Sequence, residues 1–135
     1  MKNLKTIFAS VVLITLVSVS AFAGEGSKVI AVVNHATWCP ACQNNGERAS
    51  AAFMKNNKDG AIRFVTNDLS NDETKAQSAV ELKKVGLDKV MMENNGTGVA
   101  YFFDAESKKL INKISVAKSD KEIAQAIKNA KKGVE

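Results

Sequence analysis

The hydrophobic pattern of this chain changes period between Val33 and Pro40, and that change limits the folds open to it. Val29-Ile30-Ala31-Val32-Val33 is a continuous apolar run rich in β-branched residues, as in a strand buried on both faces in mid-sheet. From Pro40 onward the small and apolar residues Cys42, Gly46, Ala49 and Phe53 recur at spacings of 4, 3 and 4, which is a helical stripe. Proline fits a first helical turn because its missing N–H would have no intrahelical partner there. A doubly buried strand followed at once by a helix needs neighbouring strands beside it and helices over both faces, which is an α/β layering.

The remaining signals extend this pattern. The helix is expected to end in the turn-forming Asn56-Asn57-Lys58-Asp59-Gly60, and Ala61–Thr66 reads as a second strand. Ser70 and Glu73 make an S-x-x-E capping box that predicts a second helix from Ser70, stopping at Gly86. Val99–Phe103 is an apolar strand, Asp104–Ser107 a turn, and Leu110–Val116 a strand with Leu110, Asn112, Ile114 and Val116 on one side. These two strands form a predicted hairpin. Ser119 with Glu122 announces a last helix that presents Ile123, Ile127, Ala130 and Val134 on one face and closes near Gly133. The order strand, helix, strand, helix, strand, strand, helix predicts a mixed sheet covered on both faces.

Ahead of this domain, residues 1–23 have the pattern of an export signal. Lys2 and Lys5 charge the N-terminus, Ile7–Val19 is apolar, and Ala21-Phe22-Ala23 supplies a small-x-small cleavage pattern. Ile7–Ala23 is broken by Ser10, Thr15, Ser18 and Ser20, and is shorter than the ~20 mostly apolar residues of a membrane span. The expectation is a cleaved signal peptide over 1–23 and a single domain over 24–135, periplasmic or secreted. Without Lys2 and Lys5 the 19 basic residues fall to 17, against 14 acidic ones, a small excess. The lysine doublets at 83–84, 108–109 and 131–132 are dispersed and not interleaved with aromatics, so no nucleic-acid partner is expected. A monomer is expected.

The chemistry concentrates in Trp38-Cys39-Pro40-Ala41-Cys42, which holds both cysteines, the single tryptophan and the single proline. Two thiols one helical turn apart can close into a disulfide and reopen, two-electron chemistry that needs no bound cofactor. A cysteine at a helix entrance sees unpaired backbone N–H groups and the positive end of the macrodipole, so Cys39 is the expected attacking thiol and Cys42 the resolving one. The helical stripe puts Cys42 on the buried face and leaves Cys39 towards solvent. A purely structural disulfide is disfavoured, because so short a loop restricts the unfolded chain little. The alternative is metal handling: His35 with the two thiolates supplies three ligands for copper or zinc, and Met91 or Met92 could add a thioether for Cu(I).

From Val29 through Asn34-His35-Ala36-Thr37-Trp38-Cys39-Pro40-Ala41-Cys42 to Gln43 the chain resembles the buried strand and active-site turn of the thioredoxin family, above all its exported members with the motif Ala-Thr-Trp-Cys-Pro-x-Cys. Thr97–Asp104 is similar to the family pattern Thr-Pro-Thr-Phe-Val-Phe-Phe-Asp. The resemblance implies a thioredoxin fold and a thiol:disulfide oxidoreductase acting on cysteine-containing protein substrates, in either direction, through a redox-active Cys39–Cys42 disulfide and no other cofactor. It also implies a redox partner protein, membrane-bound if the work is reductive, and a substrate-packing surface of Trp38, Pro40, Thr97 and Gly98.

Two positions and one segment depart from the family. Gly98 stands where relatives carry a cis-proline; a non-proline cis bond costs about 2.5–4 kcal/mol, so Gly98 is expected in trans, in a looser loop more open to metal. Val33 stands where thioredoxins proper place a buried acid near the resolving thiol. The segment Asp88–Asn95 lengthens the connection into Gly96-Thr97, with Val90 and Met91 expected to pack on the core.

Overall fold

The computed structural model describes residues 26–135; the predicted export signal and its cleavage boundary lie outside them. The elements are β1 (Val29–His35), α1 (Pro40–Lys55), β2 (Ile62–Asp68), α2 (Asp72–Lys84), a 3-10 turn (Val90–Met92), β3 (Val99–Asp104), β4 (Leu110–Ser115) and α3 (Asp120–Lys132). The sheet order is β2-β1-β3-β4. β1 runs parallel to β2, with Val29 opposite Ile62 and His35 opposite Asp68, and antiparallel to β3, which pairs antiparallel with β4.

The apolar run of β1 is continuous because each face meets its own helical layer. Val29 and Ala31 join one core with Ala49, Ala52 and Phe53 of α1 and Ile123, Ile127 and Ala130 of α3. Ile30 and Val32 face the opposite core, formed with Leu82, Val85, Leu87, Met91, Tyr101 and Phe103. The lengthened segment contributes Met91 to this second core, with Val90 packed against it, as its composition predicts. Two layers of helix over a four-stranded mixed sheet, in this element order, constitute the thioredoxin fold.

Two local expectations are corrected. Ser70 does not cap α2: Asn71 is the N-cap, its Oδ1 accepting from Thr74 N–H at 2.9 Å while Thr74 Oγ1 accepts from Asn71 N–H at 3.1 Å. The hydroxyl of Ser70 instead accepts from Thr37 N–H at 2.9 Å and donates to the Asp68 carboxylate. In β4 the register shifts opposite Phe102/Phe103, so that Phe102 faces Asn112 and Phe103 faces Leu110. The extra residue, Ile111, turns to the α3 side with Ile114, while Leu110 is left 42% exposed. The last helix keeps its predicted box, with Glu122 N–H donating to Ser119 Oγ and Gly133 at the C-cap.

Candidate active site

β1 delivers the chain to the site, and the N-terminal turn of α1 holds the thiols there. After His35 the backbone turns over Ala36, whose carbonyl accepts from Cys39 N–H at 3.2 Å. Cys39 is the N-cap of α1, with extended dihedrals (φ −81°, ψ 116°), and Pro40 follows in the first turn. The Cys39 Sγ does the work that a serine or aspartate oxygen does in other caps, accepting from Cys42 N–H at 3.3 Å. Its carbonyl meanwhile accepts from Gln43 N–H at 3.0 Å.

This placement splits the proton affinities of the two thiols. Burial works against ionisation of Cys39, but hydrogen bonds from the Cys42 thiol and N–H, the Thr97 side chain and the Ala41 backbone outweigh it and hold Cys39 below the ordinary thiol value. Cys42 is pushed up, chiefly by burial and then by the hydrogen bond it gives to Cys39. The two thiols thus differ in proton affinity, with Cys39 the more readily ionised.

Cys39 does not face solvent as expected; it is only 2% exposed, less than Cys42 at 7%. Its cover is the Thr97–Gly98 turn. Gly98 lies at φ +73°, and no cis peptide bond occurs among the described residues. The turn is also tighter than the loss of proline suggested: Gly98 N–H donates to the Asn34 carbonyl at 2.8 Å, a bond proline cannot make, and its own carbonyl accepts from Val116 N–H at 2.8 Å. A Cβ at Gly98 would stand 3.3 Å from Cys39 Sγ and 3.1 Å from Ala41 Cβ. The positive φ favours glycine there, and a Cβ would crowd Ala41 and the Cys39 sulfur.

Trp38 is 57% exposed beside the thiols and is no core residue. Its indole N–H donates to the Ser70 carbonyl at 3.1 Å, while Gln43 Nε2 donates to Thr37 O at 2.6 Å, so the ring is presented by a braced turn. The exposed Pro40 extends that surface.

The residue that sequence reasoning missed is Asn34, fully buried at the end of β1. Its Nδ2 donates to Asn94 O at 2.9 Å and its Oδ1 accepts from Asn67 Nδ2 at 3.0 Å, while its carbonyl holds Gly98 and lies 4.0 Å from Cys42 Sγ. One residue therefore ties β2 and the lengthened segment by its side chain, and the cover over Cys39 by its backbone carbonyl, to the same strand end. The only sequence signal was a polar residue directly after five apolar ones.

The metal-ligand set does not assemble: among the described residues no three His, Cys, Asp or Glu side chains converge. Met91 is buried in the core on the far face of the sheet, and Met92 is exposed. His35 pairs in register with Asp68 and, with Val33 and Cys42, lines a cavity of about 480 Å³ between α1 and the β2 edge.

Comparison with known proteins agrees on the fold. No protein-family model matches the sequence, and no curated protein does. Among solved structures, the protein Trxlp of Edwardsiella tarda aligns with a TM-score of 0.50 at 12% identity, over 82% of this chain and 91% of its own. A thioredoxin of Fasciola hepatica aligns at 0.48 and 16% identity, over 86% of this chain and 88% of its own. A secreted Mycobacterium tuberculosis disulfide oxidoreductase, homologous to E. coli DsbE, aligns at 0.47 and 19%, over 76% and 81%. Fold and site together define a thioredoxin-fold protein with a Cys-x-x-Cys pair at the N-terminus of its first helix.

Proposed function

We propose that the protein is a thiol:disulfide oxidoreductase working outside the cytoplasm on cysteine-containing proteins. The observation that carries this reading is the geometry of the Cys-x-x-Cys pair: Cys39 Sγ caps α1, accepting from Cys42 N–H at 3.3 Å, with Cys42 buried one turn behind it. The opposed proton affinities of the two thiols agree with it. In the reductive direction the Cys39 thiolate attacks a substrate disulfide, forming a Cys39–substrate mixed disulfide and releasing one substrate thiolate. Cys42 then loses its proton and attacks Cys39 Sγ, closing the Cys39–Cys42 disulfide and freeing the second substrate thiolate. The oxidative direction is the same sequence reversed. A partner protein restores the starting state, and no cofactor beyond the disulfide takes part.

Exposed Trp38 and Pro40 flank the thiol, and Thr97 and Gly98 cover it, so these four residues form the surface a substrate meets. Export rests on the pattern of Lys2, Lys5, Ile7–Val19 and Ala21-Phe22-Ala23. Among the described residues no helix is long and apolar enough to cross a membrane. Turnover of a fluorescent disulfide peptide with a thiol reductant tests the reading: wild type is expected to accelerate reduction, and Cys39→Ser to remove the acceleration. Unchanged turnover in Cys39→Ser excludes Cys39 as the nucleophile.

A further inference from the structure

Among the described residues β2 is an edge strand, paired on one side only. Val29 N–H donates to Ala61 O and Leu69 N–H to His35 O, so with this parallel register the odd-numbered residues of β2 bond to β1 and the even-numbered ones point outward. Two of the four outward positions are already plugged. Asn57 bonds both backbone groups of Ile62, through Oδ1 at 3.0 Å and Nδ2 at 2.7 Å, and Ser78 Oγ accepts from Asp68 N–H at 2.8 Å. Phe64 and Thr66 lie between the plugs with their N–H and C=O groups open, and among the described residues nothing pairs with them.

The same two residues line the 480 Å³ cavity, together with Val33, Phe53 and Met54. A strand residue directly opposite Phe64 or Thr66 projects its side chain to the same face of the sheet, hence into that cavity. Gly46 of α1, with nothing within 4 Å of where its Cβ would be, leaves this space unfilled. Glu47 borders it and makes no ion pair among the described residues.

We propose that this edge is a docking site for a short extended segment of another polypeptide, with aliphatic side chains two residues apart and a Lys or Arg on the same side. Four backbone hydrogen bonds to Phe64 and Thr66 fix the segment, the aliphatic pair fills the cavity, and the cation meets Glu47. A second copy of this chain fits poorly. Two-fold pairing about Val65 sets Ile62 of one copy against Asp68 of the other, where Asn57 and Ser78 already stand. The site lies on the α1 face of the sheet, and the inner end of its cavity reaches Cys42 and Val116, whose N–H donates to Gly98 O. Its open edge at Phe64 and Thr66 does not depend on the thiols cycling.

The probe is the peptide acetyl-Lys-Thr-Leu-Thr-Val-amide, titrated against nitrogen-labelled protein with amide resonances read by NMR. Saturable shifts of Phe64 and Thr66 are expected. Binding should weaken about tenfold or more when the peptide is N-methylated at Leu and Val, which removes two hydrogen bonds. A similar loss is expected in Gly46→Leu, which fills the cavity while favouring the helix. Unmoved Phe64 and Thr66 amides overturn the proposal, as do shifts confined to Trp38, Thr97 and Gly98. Shifts of Phe64 and Thr66 that follow protein concentration without peptide make a second copy the occupant, and overturn it too.

Discussion

The reactivity of Cys39 is set by opposing local effects. The hydrogen bonds that hold its thiolate include one from the Cys42 thiol, so Cys42→Ala, which removes that donor, should raise the pH midpoint of Cys39 alkylation from a wild-type midpoint below the ordinary thiol range. The same shift enters stability. A folded value below the unfolded one means that ionised Cys39 favours the folded, reduced protein; this contribution is complete above the unfolded thiol value and fades as pH falls through the folded one. The stability of reduced wild type relative to Cys39→Ser is therefore expected to rise with pH, measured by chemical denaturation; a flat or falling difference contradicts the assignment. Gly98→Ala should cost about 1–2 kcal/mol for the left-handed dihedral alone, and more from the contact with Cys39 Sγ. The thiol chemistry was legible in Trp38-Cys39-Pro40-Ala41-Cys42, since capping and spacing are local. The resemblance brought Thr97 and Gly98 to the thiols, but that they bury Cys39 was not legible, because helical periodicity says nothing about how closely a distant segment lies over a helix end.

At the scale of elements, the boundary of α2 turned on which of two adjacent polar residues caps it. Ser70 and Asn71 are both good caps, and the S-x-x-E pattern favoured Ser70. Tertiary structure decided otherwise, since Ser70 is engaged by Thr37, Asp68 and Trp38. Asn71→Ala is thus expected to destabilise the protein by about 1 kcal/mol in thermal or urea unfolding. Ser70→Ala should leave the α2 cap intact and instead loosen Thr37 and the turn that presents Trp38, seen as a change in indole fluorescence. The bulge at Ile111 was hidden for a related reason: strict alternation in Leu110–Val116 assumes an unbroken ladder, and the extra residue is legible only against the β3 partner.

The molecule as a whole was largely legible, because β1 is buried on both faces and the helices that cover it announce themselves by stripe and cap. What joins its parts was not. Asn34 holds β2 through Asn67, the lengthened segment through Asn94 and the cover through Gly98, a convergence of segments that no local pattern encodes. Asn34→Ala leaves the Asn67 amide and the Asn94 carbonyl without partners but keeps the backbone bond to Gly98. It should lower stability by about 2–4 kcal/mol, and speed alkylation of Cys39 through the loosened segment that leads into its cover. The central claim is that Cys39 and Cys42 form one two-electron couple. Equilibrating the protein with graded ratios of reduced and oxidised glutathione, followed by acid quench and mass spectrometry, tests it most directly. The prediction is a single transition with the loss of two hydrogens, fitted by a two-electron slope of about 30 mV per tenfold change. Thiols that stay reduced across the whole range, or that are blocked by a stoichiometric metal surviving dialysis, would contradict it.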